Sequence, residues 1–297
     1  MTTQSRKTDS LLSPEHVKTV VDYYDGTWFD YQVIWVSKRN WNAMHWGYWD
    51  ENTKNHAQST INMNRQVAAT VPLRPGMKVL DAGCGNGGTA AWVAAHHQVH
   101  VTGITLSAAQ VKRATRYARK RKVSDLVHFE VMDFTAMTYP DESFDVVWAQ
   151  ESVCHSPIEG KQAFLKEAFR VLKPGGRLVV EDWFRRGRPY SERDERLIHA
   201  WLDGWAIDDL ATGDEFVEWG KAAGFTDVHM RDVHREALPS MKRLRRLALV
   251  WYPPGLLMRA VGIRSAEEHG NLKAARLSWP AHKRMLWFIG IYSATKP

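Results

Sequence analysis

The chain has 297 residues, 44% hydrophobic and 25% charged, proportions that exclude an intrinsically disordered protein. Forty Lys and Arg against 33 Asp and Glu leave a formal charge of +7, and no stretch reaches the ~18 consecutive apolar residues of a membrane span. The two cysteines, Cys84 and Cys154, exclude a disulfide framework and lack the spacing of a zinc site, so no metal is expected.

The polar start MTTQSRKTDS lacks the apolar core of a signal peptide, so residues 1–13 read as a disordered tail and the protein as cytoplasmic. A helical cap is expected over 14–72. Ser13 suits an N-cap and Pro14 the first helical position; Val17, Val20, Val21 and Tyr24 then recur on one face. A second amphipathic stretch opens at Thr27 and carries Trp28, Tyr31, Ile34 and Trp35, ahead of the cluster His45-Trp46-Gly47-Tyr48-Trp49. A third helix runs roughly from Thr53 to Val71 and ends at Pro72.

From Met77 short apolar runs alternate with helical patterns. Strands are expected at 77–82, 99–104, 127–132, 144–149 and 177–183, with helices at 87–96, from Ser107 to about Lys120, and at 160–172. Ser107 with Gln110 reads as a capping box. Strands separated by helices imply parallel βαβ units, hence an α/β, doubly wound, mostly parallel sheet covered on both faces. Farther on come helices at 192–205 and 214–223, and strands at 227–233 and 286–294. The core domain is thus 73–234 with 285–297, and the intervening 235–284 reads as a lid insertion.

Val79-Leu80-Asp81-Ala82-Gly83-Cys84-Gly85-Asn86-Gly87-Gly88 falls where the first strand turns into its helix, so its glycines let a nucleotide-like cofactor approach the backbone. Three details argue against a dinucleotide. Asp81 would repel a pyrophosphate and suits a cationic amino group. The second strand ends in Gly103-Ile104-Thr105-Leu106-Ser107, without the ribose-binding acid of a dinucleotide site. Asp133, closing the third strand, can accept a hydrogen bond from an adenine amino group.

The D-x-G-C-G-x-G-G turn, GITLS, Met132-Asp133, FDVVWAQES and the KPGG turn resemble class I methyltransferases that use S-adenosylmethionine, which implies a Rossmann-like, seven-stranded sheet and that cofactor. More narrowly, the N-terminal YYD, the His-Trp-Gly-Tyr-Trp cluster and Glu151-Ser152-Val153-Cys154-His155 resemble the tocopherol, sterol and prenyl-diphosphate C-methyltransferases. The resemblance implies a cofactor site of Asp81, Gly83, Cys84, Gly85, Thr105, Leu106, Gln110, Asp133 and Gln150, covered by Tyr24, Trp46 and Tyr48. It implies a terpenoid substrate, first among them a prenyl diphosphate, methylated on an alkene carbon. Such chemistry leaves a carbocation that needs aromatic faces, exclusion of water and a proton acceptor. Trp28, Tyr31, Trp35, Trp183 and Trp205 are the aromatic candidates, Glu151 is the base, and His155 is placed to orient it or share the proton, with Tyr24 beside them. Arg185, Arg186 and Arg246 are the diphosphate candidates.

A neutral prenylated quinol or sterol is the alternative acceptor, followed by N- or O-methylation of a small metabolite. Nucleic-acid binding is disfavoured because the basic residues are scattered except for two short clusters. The basic, apolar stretch 241–258 is compatible with transient contact with a membrane surface, and the sequence leaves a homo-oligomer open.

Overall fold

The computed structural model describes residues 10–36 and 41–297, so most of the expected disordered tail, residues 1–9, lies outside the described residues. Residues 10–13 are ordered: Leu12 is buried, and Ser13 caps helix α1 (Pro14–Gly26) by accepting from the His16 amide at 3.1 Å. Helix α2 (Trp28–Asp30) continues into one π-helical turn, Tyr31–Trp35, and α3 (His56–Ala68) closes the cap.

The alternation beyond Met77 folds as a seven-stranded sheet: β1 (Lys78–Ala82), β2 (His100–Thr105), β3 (Val127–Val131), β4 (Phe144–Gln150), β5 (Leu172–Arg185), β6 (Thr226–Asp232) and β7 (Trp287–Thr295). Their order is β3-β2-β1-β4-β5-β7-β6, and β7 enters antiparallel between β5 and β6. Helices α4 (Gly88–His97), α5 (Ala108–Arg121) and α6 (Ile158–Val171) connect the strands on the β1 to β5 side. The KPGG turn lies inside β5: Leu172 pairs with Phe144, the chain bulges, and pairing resumes at Arg177 opposite Val146. The strands are Val-rich because both faces are covered, one buried cluster forming around Phe164, Leu165 and Leu178, the other around Trp92, Trp148 and Val179.

Beyond β5 come α7 (Glu192–Asp203) and α8 (Gly213–Ala222), the latter with a capping box of Thr212 and Glu215. The segment between β6 and β7 is two helices, α9 (His234–Ala260) and α10 (Ala266–Lys283), packed on each other, with α10 also resting on α7. Pro253 and Pro254 do not interrupt α9, which runs through them. Parallel strands bring the carboxyl ends of β1, β2, β4 and β5 to one edge, and the cap and the α9–α10 pair converge over it.

Candidate active site

A cleft of about 1220 Å³, part of it open to solvent, lies over the carboxyl ends of β1, β2 and β4. Its floor is the turn after β1, where Gly83, Gly85 and Gly87 take φ values of +85°, +51° and +75°. A side chain at Gly83 would collide with Ser152, whereas one at Gly85 would meet nothing within 4 Å, so that turn leaves room at the backbone. Asp81 is buried with Oδ2 unpartnered, and burial raises its carboxyl to about 7. Asn86 Oδ1 and Gln150 Nε2 on the same wall are also buried without a partner among the described residues. On the β2 side Gln110 does not complete the capping box. Ser107 Oγ accepts from its amide at 3.1 Å, but the Gln110 side chain takes the Thr105 hydroxyl at 2.5 Å.

Helix α1 roofs this cleft. Asp25 ties its end to α5, accepting from Ser107 Oγ at 3.2 Å and from Arg113 at 3.1 Å. Tyr24 reaches down to His155 Nε2 at 2.7 Å. His155 Nδ1 faces the Ala206 carbonyl at 3.3 Å, and a carbonyl only accepts, so Nδ1 carries the proton and Nε2 accepts from the tyrosine. Burial lowers His155 to about 4, which keeps the ring neutral near pH 7. Beneath it Lys161, buried and lowered to about 8, holds the carbonyls of Cys154, Ser156 and Asp209, fastening the turn after β4 to the loop after α7.

A second chamber of about 660 Å³, also partly open to solvent, adjoins the cleft, and both are lined by Tyr31, Met44, Glu151, Trp183 and Trp205. Its other walls are Trp35 and Trp46 from the cap, Leu244, Leu247, Ala248 and Trp251 from α9, and Asn271, Leu272 and Ala275 from α10. The aromatic wall is one packed group: Trp183 lies 4.8 Å from Trp205 and 6.5 Å from Trp46, and Trp46 lies edge-on to Trp35 at 5.4 Å. Asn271 sets its height, because one side-chain oxygen accepts from Trp205 Nε1 at 2.9 Å and from the Tyr23 hydroxyl at 3.1 Å. Among the described residues no Lys or Arg lines this chamber.

Glu151 stands at the junction, in the left-handed region at φ +47°, where β4 hands over to the following 3-10 turn. Its Oε1 accepts from the Trp46 amide at 2.5 Å. Burial, with the nearby Asp182, raises its carboxyl well above the ordinary range, and the Trp46 amide opposes that by favouring the charged form. A cation beside it would favour the charged form as well.

Residues 80–180 match the family model described as a methyltransferase domain. The chain is 37% identical over 198 residues, 66% of its own length, to the 27-O-demethylrifamycin SV methyltransferase of Amycolatopsis mediterranei (strain S699), covering 71% of that protein. The chain belongs to this methyltransferase family. It is also 32% identical over 254 residues to the sterol methyltransferase-like 3 of Botryococcus braunii, spanning 82% of this chain and 62% of that one. The crystal structure of the [4+2]-cyclase SpnF superposes with a TM-score of 0.75 at 27% identity, over 95% of this chain and 97% of that one. The enzyme is a methyltransferase that uses S-adenosylmethionine.

The methyltransferase's cleft fits that cofactor: unpartnered carboxyl and amide oxygens at Asp81 and Asn86 await donors, beside the space left open at Gly85. Asp81, Gly83, Cys84, Gly85, Thr105, Leu106, Gln110 and Gln150 all line the cleft, as do Tyr24, Glu151 and His155.

Other expectations are corrected. Asp133 does not line the cleft, although Met132 and Phe134 on either side of it do. Its carboxylate folds into a local turn, accepting from the Thr135 amide and hydroxyl at 2.8 Å, and takes the Ser10 hydroxyl as well. Trp46 turns its ring into the second chamber, and Tyr48 lines neither space. The reason is Gly47: a Cβ there would come within 2.0 Å of Ser59 Oγ, so the chain crosses α3 in contact, and the Tyr48 amide bonds to the Ser59 carbonyl. Trp28 lies outside, under the Arg113 guanidinium at 4.9 Å.

His155 does not orient Glu151; its ring is committed to Tyr24 and Ala206. None of the three diphosphate candidates reaches either space. Arg185 is buried between Glu195 at 2.9 Å and Asp209 at 2.7 Å, Arg186 pairs with Asp232 at 2.9 Å, and Arg246 is exposed on α9. Missed by sequence reasoning were Leu12, Met44, Asn271 and Trp251. Only Trp251 carried a signal, as the aromatic end of the basic, apolar stretch in α9.

Proposed function

We propose that this methyltransferase adds a methyl group to a carbon of a neutral, apolar, terpenoid-type acceptor, a ring carbon of a prenylated quinol or an alkene carbon of a sterol, and that Glu151 removes the proton afterward. The observation that carries this reading is the tryptophan-walled chamber meeting the cofactor cleft at a single buried carboxyl, with no cation on its wall among the described residues. When bound, S-adenosylmethionine supplies an electrophilic methyl group. With the methyl–sulfur electron pair left on sulfur, the positive charge on the acceptor carbon beside the new methyl would be stabilised by the faces of Trp183, Trp205 and Tyr31. Their packing, with the acceptor filling the space between them, keeps away the water that would quench it. Glu151, held by the Trp46 amide, accepts the proton whose loss restores a double bond. A diphosphate would face Asp30, already paired with Arg264, and Glu151, and among the described residues no guanidinium lines the chamber to neutralise it, which disfavours the prenyl-diphosphate reading.

The test is incubation with S-adenosylmethionine and a panel of quinols, sterols and prenyl diphosphates, with products analysed by mass spectrometry and NMR. A methyl on carbon of a neutral acceptor supports the reading, and a methyl on oxygen or nitrogen overturns it. An isomer formed with no gain of mass overturns it too and points to ring closure, the activity named for SpnF. Glu151→Gln lowers turnover by ~10² to 10⁴ and leaves S-adenosylmethionine affinity intact; wild-type turnover in that variant removes Glu151 from the chemistry.

A further inference from the structure

The two sides of α9 are unlike. Leu244, Leu247, Ala248 and Trp251 recur at helical spacing and line the chamber. The opposite side bears Leu249, Val250, Leu256, Leu257 and Val261, with Ile263 just beyond, and all are open to solvent: Val250 is 68% exposed and Leu257 and Ile263 are each 67% exposed. The cap adds Phe29 and Val33, both exposed, from a segment bound to the lid by Arg243 on the Ile34 carbonyl at 2.6 Å and Arg264 on Asp30 at 2.6 Å. Residues 241–264 contain six basic residues and no acid. Lys242 and Arg246 share the outward side, and Arg259 is exposed near the end of the helix. Exposed apolar side chains on a helix whose own charges from 241 to 264 are all cations match an anionic lipid surface, whose acyl region takes the former and whose headgroups take the latter, with Glu267 beside Arg259 the acid nearest the helix end. Trp251 belongs to both sides, lining the chamber while 48% exposed.

We infer that the outer face of α9 seats on an anionic bilayer and that the acceptor passes from the lipid into the chamber beside Trp251. This rests on the apolar-acceptor reading, since only a molecule dissolved in lipid gains from such a route. The lid is then a docking surface as well as a cover. Water stays out of the chamber while a hydrophobic acceptor enters.

Sedimentation with vesicles of phosphatidylcholine containing about one third phosphatidylglycerol tests the docking. Wild-type protein partitions to these vesicles, less at high salt, and not to phosphatidylcholine alone. The double variant Val250→Asp/Leu257→Asp loses at least ~10-fold of that partitioning. Its S-adenosylhomocysteine affinity by calorimetry is unchanged, which shows that it is folded. Equal partitioning of both proteins overturns the inference, as does a wild-type dimer that the double variant dissociates in the absence of vesicle binding.

Phospholipids brominated in the acyl chain test the entry route. They quench part of the tryptophan fluorescence, and Trp251→Phe removes that part; undiminished quenching in the variant overturns entry past Trp251. None of these readouts needs turnover. Carbon methylation of a detergent-dispersed quinol without vesicle binding defeats the docking alone, and vesicle binding by an enzyme that methylates oxygen defeats the apolar-alkene reading alone.

Discussion

The cleft over the strand ends and the tryptophan-walled chamber share Glu151 but are built differently. The cleft is made by consecutive residues at strand ends: Asp81 through Gly88 after β1, Thr105 through Gln110 after β2, and Gln150 at the end of β4. Backbone geometry does most of the work there. The chamber is made by side chains from positions as far apart as Asp30 and Ala275, held by contacts such as Asn271 on Trp205 and Tyr23. A local substitution in the cleft should therefore change affinity for the cofactor, while one in the scaffold around the chamber should change stability.

The largest expected effect is on the scaffold. Arg185→Met removes the cation shared by Glu195 and Asp209, leaves Asp209 with Arg188 alone, and destabilises the protein by ~2–4 kcal/mol in urea unfolding, without altering the acceptor KM. A raised KM with unchanged stability would return Arg185 to the substrate site and blur the distinction between the two regions.

Next is the cleft itself. Asp81→Ala weakens S-adenosylmethionine binding by ~10- to 10²-fold in calorimetry, the worth of a charge-assisted hydrogen bond. The wild-type affinity rises with pH up to about 7 and then levels, because the ligand's cation selects the ionised carboxylate. The stability of the ligand-free protein moves the other way. With its folded-state value raised from 3.8 to about 7, Asp81 binds a proton more tightly when folded, so its contribution is complete below 3.8 and is lost as pH rises through 7. Asp81→Asn removes this slope in thermal unfolding and stabilises the ligand-free protein at pH 8; an unchanged slope would show that Asp81 is not the group that titrates.

The smallest effect belongs to the joint between the regions. Tyr24→Phe strips His155 Nε2 of its donor in a buried setting and lowers stability by ~1–3 kcal/mol, with cofactor affinity nearly unchanged. A loss of turnover exceeding the loss of stability would move Tyr24 from the roof into the chemistry.

Legibility followed the same division. All seven strands and the glycine turn could be read along the chain, because hydrophobic alternation and left-handed glycines are local signals. Glu151 was found the same way, as the residue after a strand end. Asp133 was misread because a carboxylate at a strand end suits both an adenine and an Asx turn, and Thr135 two residues on decided for the turn. The arginines were misread because charge in a sequence carries no partner: Arg185 looked free until Glu195 and Asp209 closed on it. Trp46 and Tyr48, neighbours but one in the chain, part company because the Gly47 crossing of α3 sends one ring inward and the other out.

The amino-acid order alone determined a doubly wound sheet, a cofactor turn after its first strand and an acid at the mouth of its fourth, since each depends on residues within one turn or one strand of each other. Tertiary packing decided which of the tryptophans face the chamber, which cations are spent on structural ion pairs and which side of α9 meets solvent. Those outcomes depend on what lies opposite in space, and residues 30 and 275 become neighbours only when the whole sheet has closed beneath them.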